Sequence, residues 1–154
     1  MKESHKHCMK AALKEFSKPG KRNFSLPAGD SFTALIDGEP FVATDVRGFH
    51  SFGVRIVVGL IDGGSERRYI TVAADDYLAA GEYDVTLEGE VTIGYVVENP
   101  EGNNEYSAET GRIKMSSAAN TEFSGKFNAT LVESSPYKAI TEACFKVGQT
   151  VELS

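Results

Sequence analysis

The 154-residue chain has no tryptophan, only two cysteines and only five prolines. Cys8 and Cys144 allow at most one disulfide, which excludes the dense disulfide framework of many small secreted domains. The absence of tryptophan argues against a strong carbohydrate-binding platform. No window approaches the roughly 20 apolar residues of a membrane helix, so no transmembrane segment is expected.

Sequence signals that would identify a cellular location or a cofactor are also missing. The N-terminus is broken by charges every few positions and has no apolar h-region of the kind that secretory signals carry. The sequence contains no G-x-S-x-G, P-loop or dinucleotide-binding fingerprint. We therefore expect no cofactor, and the signal-poor N-terminus leaves the localisation unknown.

The composition is that of one globular domain, and its charge is unevenly distributed. Apolar residues make up 41% of the chain and the formal net charge is −6. Residues 1–22 carry a net charge of +5 and the remainder −11. This asymmetry predicts a basic helical arm and linker over residues 1–24 and an acidic β domain over 25–154. An acidic body repels nucleic acid, so no nucleic-acid partner is expected.

One amphipathic helix is predicted over residues 4–17. Its apolar stripe at helical spacing consists of Met9, Ala12, Leu13 and Phe16. So short a helix is marginal alone in water, which indicates that it docks on the body, on a second copy or on a lipid surface. Met9, Leu13 and Phe16 are the candidate contacts of a homodimer. The only His/Cys cluster, His5-Lys6-His7-Cys8, is interpreted as part of a solvated arm rather than a zinc site.

From residue 31 the apolar period changes from helical spacing to two. Phe32, Ala34 and Ile36 alternate with other residues, and similar short runs separated by turn signals follow to the C-terminus. Two of the short runs, 106–108 and 111–115, are predicted as separate strands. The pattern predicts an all-β fold, an antiparallel β-sandwich or flattened barrel of about nine or ten strands, with one N-terminal amphipathic helix.

An ordered set of short motifs spans residues 31–147. It consists of Phe32-Thr33-Ala34-Leu35-Ile36-Asp37-Gly38 with Phe41-Val42-Ala43, then Gly81-Glu82-Tyr83, Thr110-Gly111-Arg112-Ile113, Ser124-Gly125-Lys126-Phe127-Asn128-Ala129 and Ile140-Thr141-Glu142-Ala143-Cys144-Phe145. The set resembles a family of small all-β domains of unknown function found in Bacteroidetes-type predicted lipoproteins. The resemblance implies a secreted or cell-envelope β-sandwich without an assigned activity. The sequence departs from the family at Cys8, which no apolar h-region precedes.

Oxygen-bearing side chains recur at every second position of one loop: Asn99, Glu101, Asn103 and Glu105. Alternate oxygen ligands are typical of calcium loops, so these four residues are candidate metal ligands. The competing interpretation is a solvated hairpin loop. Asp75 and Asp76 are interpreted as solvent-facing caps of a short turn.

Three tyrosines, Tyr77, Tyr106 and Tyr137, are expected at loop edges, where an amphipathic ring suits ligand binding. His50 is the only histidine of the predicted β domain and joins them as a candidate ligand-binding residue. It is also the only candidate general base, beside Ser51. Neighbouring residues of a strand point to opposite faces, however, so His50 is poorly placed to orient that hydroxyl.

The sequence thus predicts a non-enzymatic β-sandwich binding or interaction module, with a protein or glycan as partner. Two alternatives remain open. A flattened barrel with an internal cavity would be a carrier of small apolar ligands. An enzyme would have to use His50 with a carboxylate that the sequence does not identify.

Overall fold

The computed structural model describes residues 1–17 and 29–153, and for Phe16 and Ser17 it describes the backbone only. One helix, α1 (Glu3–Ser17), precedes eleven strands: β1 (Ser31–Ile36), β2 (Glu39–Val42), β3 (Asp45–Ser51), β4 (Val54–Asp62), β5 (Arg67–Asp75), β6 (Gly81–Thr86), β7 (Val91–Asn99), β8 (Gly102–Ala119), β9 (Glu122–Leu131), β10 (Ala139–Val147) and β11 (Thr150–Glu152). The predicted all-β fold with a single N-terminal helix is confirmed. The domain boundary predicted after residue 24 lies outside the described residues.

The strands form one sheet that curls into a half-barrel. Their order is β11-β3-β4-β5-β7-β8-β9-β10-β1-β2, and β6 pairs with β8 beside this path. Neighbours are antiparallel except β11 and β3, which are parallel. The two strands predicted over 106–108 and 111–115 are one continuous strand, β8. It pairs with β7 through its first part and with β9 and β6 through its second, so the break expected at residues 109–110 does not occur.

The concave inner face of the half-barrel carries the larger apolar core. Strand β1 shows the underlying alternation, with Phe32, Ala34 and Ile36 buried on this face. Phe32 is central: its ring stacks on Phe145 at 5.7 Å between centroids and meets Phe127 edge-on at 6.3 Å. Large side chains of the neighbouring strands β9, β10 and β1 therefore interlock on the inner face of the sheet.

Helix α1 packs on the outer, convex face of β4 and β5 and forms a second core there. Cys8, Met9 and Ala12 are fully buried against apolar side chains of these strands, and Leu13 is partly buried against the same cluster. The helix therefore docks on its own chain, as its marginal length requires. The side chain of Phe16, the third predicted dimer contact, lies outside the described residues. A homodimer through this helix stays a prediction.

Within the described part, no helix is long and apolar enough to cross a membrane.

Candidate functional site

Three tyrosines meet at one end of the half-barrel, where the β4–β5 and β7–β8 hairpins turn. Tyr95 of β7 lies directly opposite Tyr106 of β8 in the sheet register. Tyr137, from the connection between β9 and β10, packs edge-on against both, at 5.0 Å from the Tyr95 ring and 5.9 Å from the Tyr106 ring. We call these residues the tyrosine cluster. Tyr106 and Tyr137 are half-buried, whereas Tyr95 has no exposed surface.

The hydroxyl of Tyr95 is buried, and no described residue completes a hydrogen bond with it. Burial raises its pKa, with smaller contributions from Tyr137 and Glu66. The guanidinium of Arg68 approaches the oxygen and partly offsets this rise in pKa. Because guanidinium N–H groups only donate, Arg68 cannot accept the tyrosine proton. The hydroxyl proton therefore points to no acceptor in the described part of the chain.

Arg68 of β5 lies opposite Val97 in the sheet register, one position along the same inner face from Tyr95. It is half-buried on the inner side of the sheet, and its guanidinium lies over the Phe41 ring at 5.9 Å from the centroid. No described carboxylate forms an ion pair with it. The preceding residue, Arg67, faces the outer side and contacts Asp62 at 3.4 Å and Glu98 at 4.0 Å. Among the described residues, no carboxylate therefore occupies the donors of Arg68, whereas two occupy those of Arg67.

Two of the four predicted ligand-binding residues, Tyr106 and Tyr137, come together in this cluster, and the other two lie elsewhere. Tyr77 is exposed in the turn after β5, where its hydroxyl donates to Glu90; this bond raises the pKa of Tyr77 to about 12. The Nδ1 atom of His50, in β3, lies 2.8 Å from the Thr150 hydroxyl of β11. Sequence reasoning missed Arg68, because only the fold places it beside Tyr95.

The four candidate metal ligands lie along the β7–β8 hairpin. The side-chain oxygen of Asn99 accepts the backbone N–H of Glu101 at 3.0 Å, which closes the turn. Asn103 and Glu105 are exposed residues of β8, opposite Glu98 and Val96 in the register. Throughout residues 1–17 and 29–153, no three His, Cys, Asp or Glu side chains group closely enough to hold a metal ion.

His5 is buried in a polar network beneath α1, which corrects its interpretation as part of a solvated arm. Its Nε2 lies 2.8 Å from a carboxylate oxygen of Asp75, and its Nδ1 lies 2.6 Å from the Thr92 hydroxyl. Lys2 donates to the other Asp75 oxygen at 2.6 Å. Asp75 is only 8% exposed, so it is not a solvent-facing cap. The structural reason is that α1 packs on β4 and β5, and its first turn places His5 between Asp75 of β5 and Thr92 of β7.

This network links a hydroxyl, an imidazole and a carboxylate, which are groups that catalytic sites also combine. Here they join α1 to the sheet. Both ring nitrogens of His5 already have partners, Asp75 and the Thr92 hydroxyl, so neither is available to a substrate while the helix is docked. Burial lowers the pKa of His5 below its usual 6.5, although Asp75 partly opposes this. Burial alone would raise the pKa of Asp75, but hydrogen bonds from Lys2 and His5 more than compensate and lower it. The neutral imidazole then donates from Nε2 and accepts from the threonine.

An open groove of about 480 Å³ crosses the outer face of β6, β8, β9 and β10. Lys114 and Lys126 lie directly opposite each other on its floor, and their register neighbours are Glu82 and Cys144. Like charges in direct cross-strand contact are mildly unfavourable. Arg112 at the groove edge is already paired with Asp84 at 2.8 Å. The groove thus mixes both signs of charge and has no buried polar group to orient a ligand.

Comparisons with known proteins add no relative to this picture. No family model matches the chain, and neither curated proteins nor solved structures include a significant match. The function must therefore be inferred from the described geometry, and the family resemblance stays an expectation.

Proposed function

We propose that the chain is a non-enzymatic binding module that takes a small ligand at the tyrosine cluster. The observation that carries the proposal is the Tyr95 hydroxyl, which is fully buried and lacks a hydrogen-bond acceptor among the described residues. A ligand that offers an acceptor atom at this point would complete the bond. The secreted or cell-envelope location implied by the family resemblance is part of the same proposal.

The energetic argument concerns the cost of the free hydroxyl. Leaving a buried polar group without a partner costs about 1–3 kcal/mol, and native proteins contain few such groups. Phenylalanine would fill the same volume on the inner face without this cost. The Tyr95 hydroxyl lowers the stability of the ligand-free protein. We therefore explain its presence by a hydrogen bond that it makes to the ligand in the complex.

The surroundings of Tyr95 suit a small, partly apolar ligand. Tyr106 and Tyr137 are half-buried, so each has one edge toward solvent and one toward the core. Aromatic walls with a few placed polar groups are typical of small-molecule sites. Large side chains such as Phe32 and Phe127 occupy the middle of the half-barrel, which favours a ligand at this end over the internal cavity of an apolar-ligand carrier.

The described groups at the site also favour binding over catalysis. They are three tyrosine side chains and one guanidinium, with the exposed Glu66 carboxylate nearby, and no nucleophile paired with a neighbouring base is among these described groups. His50, the candidate base of the enzyme alternative, lies on β3 and is hydrogen-bonded to Thr150. Acid–base catalysis would require a titratable group within hydrogen-bonding reach of the substrate.

The absence of tryptophan provides a clean test, because an indole probe can be excited selectively. We expect at least one of the pair indole-3-acetamide and indole-3-acetate to bind the wild-type chain, and Tyr95→Phe to weaken that binding about tenfold. Tyr77→Phe is the matched control, since it removes an exposed hydroxyl outside the cluster. Failure of both probes to bind at millimolar concentration, or equal binding to Tyr95→Phe, would overturn the proposal.

A further inference from the structure

We infer that the ligand of the tyrosine cluster carries a carboxylate, which Arg68 and Tyr95 bind together. This inference rests on the proposed function and specifies the chemical class of its ligand. It predicts an aryl or alkyl carboxylate, with the charged group held at Arg68 and Tyr95 and the apolar body against Tyr106 and Tyr137.

The first step concerns which hydrogen-bonding groups at the site are donors and which are acceptors. The Tyr95 hydroxyl has a proton without an acceptor among the described residues, and Arg68 offers guanidinium N–H groups, which only donate. Arg68 lies opposite Val97 and Tyr95 opposite Ile70, so the two side chains are neighbours on one face of the sheet and both present donors there. A ligand group that only accepts, and accepts at two atoms, satisfies them at once. A carboxylate has this form, whereas a carboxamide replaces one acceptor with a donor.

The second step is the unpaired charge. The chain has 22 Asp and Glu against 16 Lys and Arg, so an arginine without a carboxylate partner is unexpected. Arg67 shows the ordinary outcome, because its guanidinium contacts both Asp62 and Glu98. Arg68, one residue later and on the opposite face, contacts an aromatic ring instead. The available positive charge therefore lies on the inner side, next to the unpartnered hydroxyl.

The third step is the orientation and setting of the guanidinium. Its position over Phe41 holds the flat group in place, which favours a planar, two-point contact with an anion. A half-buried setting strengthens this charge-assisted hydrogen bond relative to water. One guanidinium and one hydroxyl match a planar monoanion, whereas a phosphate dianion would leave charge without a partner. The negative charge of the exposed Glu66, which also acts on Tyr95, would repel a dianion more strongly than a monoanion.

The experiment compares indole-3-acetate with indole-3-acetamide, which differ only in the group that Arg68 would contact. We expect the wild-type chain to bind the carboxylate about tenfold or more tightly than the amide. Arg68→Met should remove this preference, and Arg68→Lys should retain part of it because the charge remains without the planar fork. Arg67→Met is the matched control and should leave the preference unchanged. Thermal melting of each variant confirms that it is folded.

The outcomes separate the inference from the proposed function. If the wild-type chain binds both probes equally and Tyr95→Phe weakens both, the carboxylate is wrong and the binding site stands. A carboxylate preference that survives in folded Arg68→Met, or that disappears in Arg67→Met, also overturns the inference. If neither probe binds, the inference and the proposed function fail together.

Discussion

The ring of Phe32 lies directly on the backbone of Gly59, so that a methyl group at Gly59 would come within 2.8 Å of the ring carbon Cγ. Glycine is needed here for close approach, since Phe32 makes the central aromatic contacts of the inner core. We expect Gly59→Ala to lower the free energy of unfolding by about 1–3 kcal/mol. Gly148→Ala is the control, because its added methyl would meet only Asp30 at an ordinary 3.4 Å. Urea unfolding of both variants measures the difference, and equal stabilities would contradict the packing described.

The free hydroxyl of Tyr95 predicts an unusual effect on stability. Tyr95→Phe should raise the free energy of unfolding of the ligand-free protein by about 1 kcal/mol, because a buried donor without an acceptor is removed at nearly constant volume. Tyr77→Phe should change the same quantity by no more than about 0.5 kcal/mol, as expected for an exposed side chain. Chemical denaturation followed by circular dichroism measures both. A Tyr95→Phe variant less stable than the wild type would show that the hydroxyl has a partner in the free protein.

Docking of α1 depends on Met9, which is 2% exposed and accepts a weak hydrogen bond from Thr71 at 3.7 Å on its sulfur. We expect Met9→Ala to lower the free energy of unfolding by about 2–5 kcal/mol through lost contacts and a cavity. Lys10→Ala, at an exposed position of the same helix, should have little effect. Hydrogen exchange of the helix amides reports docking directly. Unchanged protection in Met9→Ala would mean that the helix is held by other contacts.

The buried network makes stability depend on pH. The pKa of His5 is lowered from 6.5 in the folded chain, so the unfolded chain takes up this proton first as the pH falls. The free energy of unfolding should therefore decrease as the pH falls below about 6.5, and should decrease further below about 4, since the pKa of Asp75 is also lowered. Urea unfolding at a series of pH values measures the slope. His5→Gln should remove the first decrease and keep the second; an identical slope in this variant would exclude His5 as its source.

The fold could be predicted from the sequence largely because local patterns specify it. Alternation in β1 and the helical spacing of Met9 and Leu13 each place apolar side chains on one face, and the structure buries those faces. The length of β8 could not be predicted, because Gly111 is compatible with both a turn and a strand. Pairing with β9 and β6 makes this segment a continuous strand, and no local sequence signal predicts that pairing.

The candidate site was predictable only in part, for a related reason. Tyr106 and Tyr137 follow from their places beside turn signals. Arg68 and Tyr95 become neighbours only because β5 pairs with β7, and the alternation of β5 turns Arg68 inward and Arg67 outward. In the same way, the partner of His5 is Asp75, which lies 70 positions away in the chain. The residues around His5 do not contain this information, and their composition alone indicates a solvated arm.

The order of strands has a consequence for how the chain acquires its structure during synthesis. β1 pairs with β10, and the turn after β1 is held by Asp37, which accepts the backbone N–H of Lys138 from 101 positions away. A ribosome releases the β1–β2 hairpin long before the strand that completes it. Until β10 emerges, Phe32 and Phe41 have no aromatic partner from the last strands and remain open to other apolar surfaces. The nascent chain should therefore recruit chaperones soon after β2 leaves the exit tunnel and release them only after β10 has emerged.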